Sequence, residues 1–284
     1  MSGGNMKPYY DDGKGIIIYH GNCLEVMAHL PDKSFNMVLT DPPWIARQKA
    51  MTRKQIKSNI AAKCYNPSHT ISYGELGLFN QDALKMAFTK TSADMLVICG
   101  FKELRLVIET LEPIKGVFGW HKPNGGISII YPAALDLAFI VWGAHKSQLT
   151  LTGFQHWRSS VFSVPTPCAG CMSNGERILK EKRGQAVHPA QGPIALYHQL
   201  LKPVSGSVLD PYLGTGTTLR AAKDLGLTGT GIEINEKYCE IAARRLEQEM
   251  LPFTITNDNN LWKPKPKKYD DNQHPSLFTA QEIP

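Results

Sequence analysis

From residue 207 the chain reads Ser207-Val208-Leu209-Asp210, then Pro211-Tyr212-Leu213-Gly214-Thr215-Gly216-Thr217-Thr218. A helical stretch over residues 219–225 follows, closed by Gly226, and then a strand over residues 228–234 with Glu233 near its end. Few patterns restrict a fold more. A short buried strand, a glycine turn, a helix and a second strand ending in an acid make up the nucleoside-cofactor half of a Rossmann-like α/β sheet. The glycines let the backbone approach a ligand closely, and the terminal acid suits a pair of ribose hydroxyls. A dinucleotide fingerprint wants a third glycine where Leu219 stands. The pattern Gly-x-Gly-x-x-Leu therefore argues against a nicotinamide oxidoreductase.

A second feature lies far upstream. Residues Phe35–Thr40 read as a buried strand that runs directly into Asp41-Pro42-Pro43-Trp44. This turn falls just past a strand's carboxyl end, where open α/β sheets bind ligands. Two successive prolines fix φ and restrict the residue before each to extended geometry, so the turn is stiff. It offers one carboxylate, carbonyls with no competing N–H, and a large flat ring. An amino group on a planar ring fits such a turn. Asp41 and the Pro42 carbonyl can each accept one N–H, Trp44 can stack on the ring, and the nitrogen lone pair is left to attack along the third direction. The bland alternative is a proline turn whose Trp44 caps the core.

Together these residues resemble the S-adenosylmethionine-dependent DNA amino-methyltransferases in the permuted, β-class order, with the Asp-Pro-Pro-aromatic motif ahead of the glycine motif. The resemblance runs through most of residues 15–247. Gly21-Asn22-Cys23-Leu24-Glu25 with Leu30-Pro31-Asp32 looks like the family's lead-in to the catalytic strand, and His188-Pro189-Ala190-Gln191-Gly192-Pro193 looks like the segment opening the helix before the glycine strand. It implies a class I methyltransferase fold: a mostly parallel sheet with an antiparallel strand and helices on both faces. It implies Asp41, Pro42, Pro43 and Trp44 as catalytic residues. For the cofactor it implies Asn22, Asp41, Asp210, Tyr212, Gly214, Gly216, Thr217, Thr218 and Glu233. The methyl donor would be S-adenosylmethionine, with S-adenosylhomocysteine as product and no metal. Three positions depart from the family pattern: Asn22 stands where Asp is usual, Gly192 where Lys is frequent, and Tyr212 where Phe is usual.

The implied chemistry is direct methyl transfer to an exocyclic amine of a base flipped out of double-stranded DNA. No covalent enzyme nucleophile is required. Adenine N6 and cytosine N4 present nearly the same amine. In the resembled family Asp in first place leans toward adenine and Ser toward cytosine N4, and the large Trp44 ring also suits a purine. Adenine N6 is therefore the expected target, with cytosine N4 as the alternative. An RNA amine and a non-catalytic nucleic-acid-binding subunit of the same fold are further readings.

Charge distribution adds a partner. The net charge is +6, but residues 45–74 contain Arg47, Lys49, Arg53, Lys54, Lys57 and Lys63 without one Asp or Glu. Residues 137–175 also lack acids and include Arg158. A charge run is most often a solvated face. Beside a base-sized site, these two stretches are expected to face DNA phosphates.

At 284 residues and 42% hydrophobic content, the chain can bury one sizeable core. It has no apolar run of about 18 residues and no signal-like start, so a cytoplasmic protein without a membrane partner is expected. Its cysteines read as scattered reduced thiols; Cys168 and Cys171 are the only close pair, and His156 and His188 are the candidates to complete a zinc site. In the middle, residues 94–100 read as a buried strand, 101–111 as a helix ended by Pro113, and 116–121 and 135–142 as two further strands, the pair antiparallel. Tyr238, Ile241, Ala242, Arg245 and Leu246 set a core stripe on a closing helix.

The expected organisation is a polar lead-in over 1–14, a methyltransferase domain over 15–250 and a flexible tail over 251–284. Within the domain, 45–74 is the basic loop and 143–187 the target-recognition region. A homodimer is a further partner expectation. The tail segment Gln273-His274-Pro275-Ser276-Leu277-Phe278 has the outline of short peptides that dock on the bacterial sliding clamp, and against this stands a tail that folds back on the core.

Overall fold

The computed structural model describes residues 6–43, 80–122, 137–147, 160–165 and 191–248. In chain order the elements are β1 (Tyr10–Asp11), β2 (Ile16–His20), α1 (Cys23–His29), β3 (Phe35–Thr40), α2 (Gln81–Lys90), β4 (Thr91–Cys99), α3 (Phe101–Thr110) and β5 (Ile114–His121). They continue with β6 (Leu137–Ala144), β7 (Val161–Ser163), α4 (Ile194–Leu201), β8 (Ser207–Asp210), α5 (Thr217–Asp224), β9 (Thr228–Glu233) and α6 (Glu236–Glu247). Among these residues the strands form one sheet in the order β1-β2-β9-β8-β3-β4-β6-β5-β7. The run β2-β9-β8-β3-β4 is parallel throughout. β6 is antiparallel to both of its neighbours, and β1 is antiparallel to β2.

Burial explains the near-continuous apolar runs of the central strands, because a parallel sheet covered on both faces needs apolar side chains on each. Successive residues point to opposite faces. Met37 and Leu39 of β3, with Leu96 and Ile98 of β4, pack with Leu196 and Leu200 of α4 and Ala221 and Ala222 of α5. Val38, Met95 and Val97 face the other way, against Val26 and Met27 of α1, Leu84 and Phe88 of α2 and Val107 of α3. The stripe on α6 closes a third cluster, in which Cys239, Ala242 and Leu246 meet Ile16, Ile18, Leu213 and Leu219.

The expected strands and helices recur with small shifts. α5 begins at Thr217 instead of 219, because Gly216 takes φ 85° and caps the helix in the left-handed conformation, which a residue with a β-carbon adopts at a cost. The polar lead-in joins the sheet through β1, and Asp12 accepts the Ile16 N–H and the Lys223 ammonium. Strand order reverses between β8 and β3: from β8 the chain goes on to β9 on one side, and from β3 to β4 on the other. At such a switch point the connections leave on opposite faces and a crevice opens beyond the carboxyl ends. β8 ends at Asp210 and β3 at Thr40, so both sequence motifs sit at that crevice.

Candidate active site

The glycine loop between β8 and α5 is organised by two carboxylates. Asp210 is 2% exposed. Its Oδ1 accepts from Thr40 Oγ1 at 2.8 Å and from the Tyr212 N–H at 3.0 Å, and its Oδ2 accepts from the Thr218 hydroxyl. Burial pushes its carboxyl up to about 6, although all three donors pull the other way. Glu233, 7% exposed, accepts the Gly214 N–H on Oε2 and the Asn235 N–H on Oε1, each at 2.8 Å. Burial raises its pKa, and the nearby Asp210 charge acts in the same direction.

The loop is fastened from behind by α6. Arg245 donates from Nη1 to the Thr215 carbonyl at 2.9 Å and to Thr217 Oγ1 at 3.2 Å. A β-carbon on Gly216 would lie 2.8 Å from Ala242 Cβ, so close helix packing demands glycine there in addition to the turn. The hydroxyls of Thr217 and Thr218 are thus engaged within the protein. Asn22 caps α1, its Oδ1 accepting the Leu24 N–H at 2.9 Å. The Tyr212 hydroxyl is a hydrogen-bond partner of the Cys23 thiol, and burial raises the pKa of both groups; the phenol that departs from the family pattern thus has a local partner. Gly192 is also explained locally, since a β-carbon there would come within 2.5 Å of the Tyr197 ring.

Beyond β3, Asp41 is half-buried, Pro42 buried and Pro43 half-buried. Cys99 at the end of neighbouring β4 is held protonated first by burial and then by the Glu103 and Asp41 charges. Glu103 is fully buried in the first turn of α3. Asp41 therefore stands at the same edge of the sheet as Asp210, Gly214, Gly216 and Glu233. Trp44, the cations Arg47, Lys49, Arg53, Lys54, Lys57, Lys63 and Arg158, the Cys168, Cys171, His156 and His188 group and the 273–278 segment lie outside the described residues. Among the described residues, no group of three or more His, Cys, Asp or Glu could hold a metal ion, and no helix is long and apolar enough to cross a membrane.

Thr40 and Arg245 were not legible as site residues. Thr40 ends a buried strand and has no motif of its own. Arg245 falls on the apolar stripe of α6, where its stem packs while its guanidinium reaches the loop.

S-adenosylmethionine fits these residues. A carboxylate offers about four acceptor positions, and Glu233 gives some of these to the Gly214, Asn235 and Ile234 N–H groups, so one acceptor position for a ribose hydroxyl remains. Gly214 at φ 55° and Gly216 at φ 85° keep the loop free of side chains at its tightest points. The first turn of α5 supplies backbone N–H groups without intrahelical acceptors, suited to a carboxylate.

Comparison with known proteins agrees with this geometry. Residues 79–244, more than half of the chain, match the N6/N4 family model described as DNA methylase. The Type II methyltransferase M2.MboI of Moraxella bovis is 24% identical over 271 residues, covering 86% of this chain and 92% of the relative. The Type II methyltransferase M.ScaI of Streptomyces caespitosus is 25% identical over 269 residues, covering 86% and 84%. Among solved structures, the cytosine-N4-specific PvuII DNA methyltransferase superposes with a TM-score of 0.63 at 18% identity, covering 91% of this chain and 92% of that one. The M1.HpyAVI complex with S-adenosylmethionine gives 0.56 at 19% identity, covering 82% and 100%. These likenesses establish a Rossmann-like methyltransferase fold, and the family match carries the rest: the chain belongs to the N6/N4 DNA methylases, amino-methyltransferases that take their methyl group from S-adenosylmethionine.

Proposed function

We propose that this protein methylates the exocyclic N6 of adenine in a base extruded from double-stranded DNA. The observation that carries the proposal is the meeting of Asp41-Pro42-Pro43 with the glycine loop at one switch point, where β3 and β8 lie side by side. Gly214, Gly216, Glu233, Asn22, Tyr212 and the start of α5 would hold the cofactor, which supplies an electrophilic methyl group on a sulfonium. Asp41 and the Pro42 carbonyl accept the two N–H groups of the base and favour a tetrahedral nitrogen. Positive charge developing on that nitrogen is stabilised by the Asp41 carboxylate. Extrusion costs a few kcal/mol, and stacking on Trp44 would return about 1–3 kcal/mol. Arg47, Lys49, Arg53, Lys54, Lys57, Lys63 and Arg158 would contact phosphates.

Adenine is favoured by the Asp in first place of the motif and by the Trp44 ring. The PvuII enzyme carries cytosine-N4 chemistry on a similar sheet, so the fold itself does not choose between amines, and cytosine N4 is the second reading. The layout proposed for the chain is a methyltransferase domain over 15–250, with 45–74 as a basic loop facing DNA and 143–187 as the target-recognition region, and a tail over 251–284. The Type II relatives suggest service beside a restriction nuclease.

The test is to incubate the protein with methyl-labelled S-adenosylmethionine and duplex DNA, digest to nucleosides and identify the labelled product by mass spectrometry. N6-methyladenine is the expected product, and N4-methylcytosine would transfer the assignment. Labelled base in neither form, with cofactor still bound, would make the chain a non-catalytic subunit.

A further inference from the structure

Asp210 is built as a joint between the two motifs. The backbone ladder between β3 and β8 pairs Met37 with Val208 and Val38 with Leu209. It cannot run on along β8, because Pro211 follows Asp210 and has no N–H to give. At the amino end the two strands are tied by side chains, Asn36 Oδ1 accepting the Ser207 N–H at 2.9 Å. At the carboxyl end the tie is Thr40 Oγ1 donating to Asp210 Oδ1 at 2.8 Å, between residues 170 apart in sequence. The same carboxylate holds the Tyr212 N–H and the Thr218 hydroxyl, at the two ends of the glycine loop. Thr40 is fully buried and is bonded to the residue that bears the proposed catalytic carboxylate, Asp41.

We infer that Asp210 is a positioning residue that sets the catalytic turn against the cofactor loop, acting through Thr40 rather than through contact with the cofactor. Parallel strands at a switch point diverge into a crevice, and a reaction across that crevice is sensitive to its width. A displacement of about 1 Å between reacting groups can cost on the order of 10²-fold in rate. With its oxygens committed to Thr40, Tyr212 and Thr218, a carboxylate 2% exposed is placed to resist that displacement. Removing the Thr40 hydroxyl frees the turn yet leaves both loop contacts of Asp210 in place. Loss of methyl transfer without loss of cofactor affinity is the signature.

This inference rests on the proposed methyltransferase reaction, and the test separates the two. Wild type, Thr40→Val, Thr40→Ser and the double variant Thr40→Val with Asp210→Ala are compared with Asp210→Ala alone. Single-turnover methylation of duplex DNA gives the rate, calorimetry gives the S-adenosylmethionine Kd, and thermal unfolding reports integrity. Thr40→Val is expected to slow methyl transfer about 10- to 100-fold while its Kd stays within about twofold of wild type. Thr40→Ser, which keeps the hydroxyl, should recover most of the rate, and the double variant should be no slower than Asp210→Ala. A wild-type rate in Thr40→Val, a Kd that weakens in step with its rate, or additive losses in the double variant each overturn the inference and leave the enzyme assignment standing. A wild-type protein that transfers no methyl group removes both.

Discussion

Two aspartates stand at the carboxyl ends of neighbouring strands of this sheet and differ in how far they are enclosed. Asp210 closes β8 under near-complete burial, with protein donors on both oxygens. Asp41 follows β3 one residue beyond Thr40 and is only half-buried, in a turn stiffened by two prolines. Proximity to the crevice is common to both, so location alone does not tell them apart. Enclosure does. Glu233 stands between these cases, buried and held by backbone N–H groups alone.

The largest effect should come from the accessible partner of this pair. Asp41→Ala is expected to lower the methylation rate on the order of 10²–10³-fold, the cost of one preorganised electrostatic contact, with cofactor affinity retained. More than about a tenth of wild-type rate surviving in single-turnover assays would remove Asp41 from the chemistry.

Glu233→Ala should be next, acting on cofactor affinity. Loss of a charged hydrogen-bonding group is worth about 1.5–3 kcal/mol, so the S-adenosylmethionine Kd should rise about 10- to 100-fold by calorimetry. Unchanged affinity would place Glu233 with Asp210 as a purely internal tie.

Asp210 has a distinct pH signature. Its folded pKa is raised from 3.8 to about 6, so as pH falls the native state takes up a proton before the unfolded chain does. The group therefore adds stability as pH drops from above 6 toward 3.8, the reverse of a salt-bridged carboxylate. Between pH 7 and pH 5 the gain is on the order of 1 kcal/mol, and the raised Glu233 works in the same direction. Asp12 and Asp32 are lowered instead, Asp32 by its Lys90 partner, and act oppositely. The clean measurement is hence the difference in urea stability between wild type and Asp210→Asn at the two pH values. A difference that does not change with pH would mean that Asp210 titrates as an ordinary carboxylate.

The smallest effect belongs to the loop's phenol. Tyr212→Phe removes one neutral hydrogen bond to Cys23 and should cost no more than about 0.5–1.5 kcal/mol of stability by thermal unfolding. A larger loss would mean that the Tyr212 hydroxyl holds more than Cys23.

Much of this site is legible in sequence because its signals are local. The glycine turn, the Asp-Pro-Pro turn and the terminal Glu233 are set by backbone preferences and strand-end position, which a few consecutive residues specify. The order of the motifs along the chain follows from the same kind of reading, whereas the antiparallel pairing of β5 with β6 is fixed by the assembled sheet. Gly216 illustrates its limit: the turn accounts for a glycine, but the demand from Ala242 comes from a helix that packs there only after folding.

What the sequence determined is the class of sheet and the two strand ends at which its motifs stand. What tertiary structure alone decided is which acids are enclosed. Asp210 reads from sequence as a cofactor residue, and only the pairing of β8 with β3, brought together from opposite ends of the domain, gives it Thr40 as a partner. Arg245 reads as one more position on a buried stripe, and only the packing of α6 carries its guanidinium to Thr215 and Thr217. Periodicity reports the face on which a side chain lies. The groups that wait for it on that face are fixed by contacts between segments far apart in the chain, and those depend on the assembled sheet.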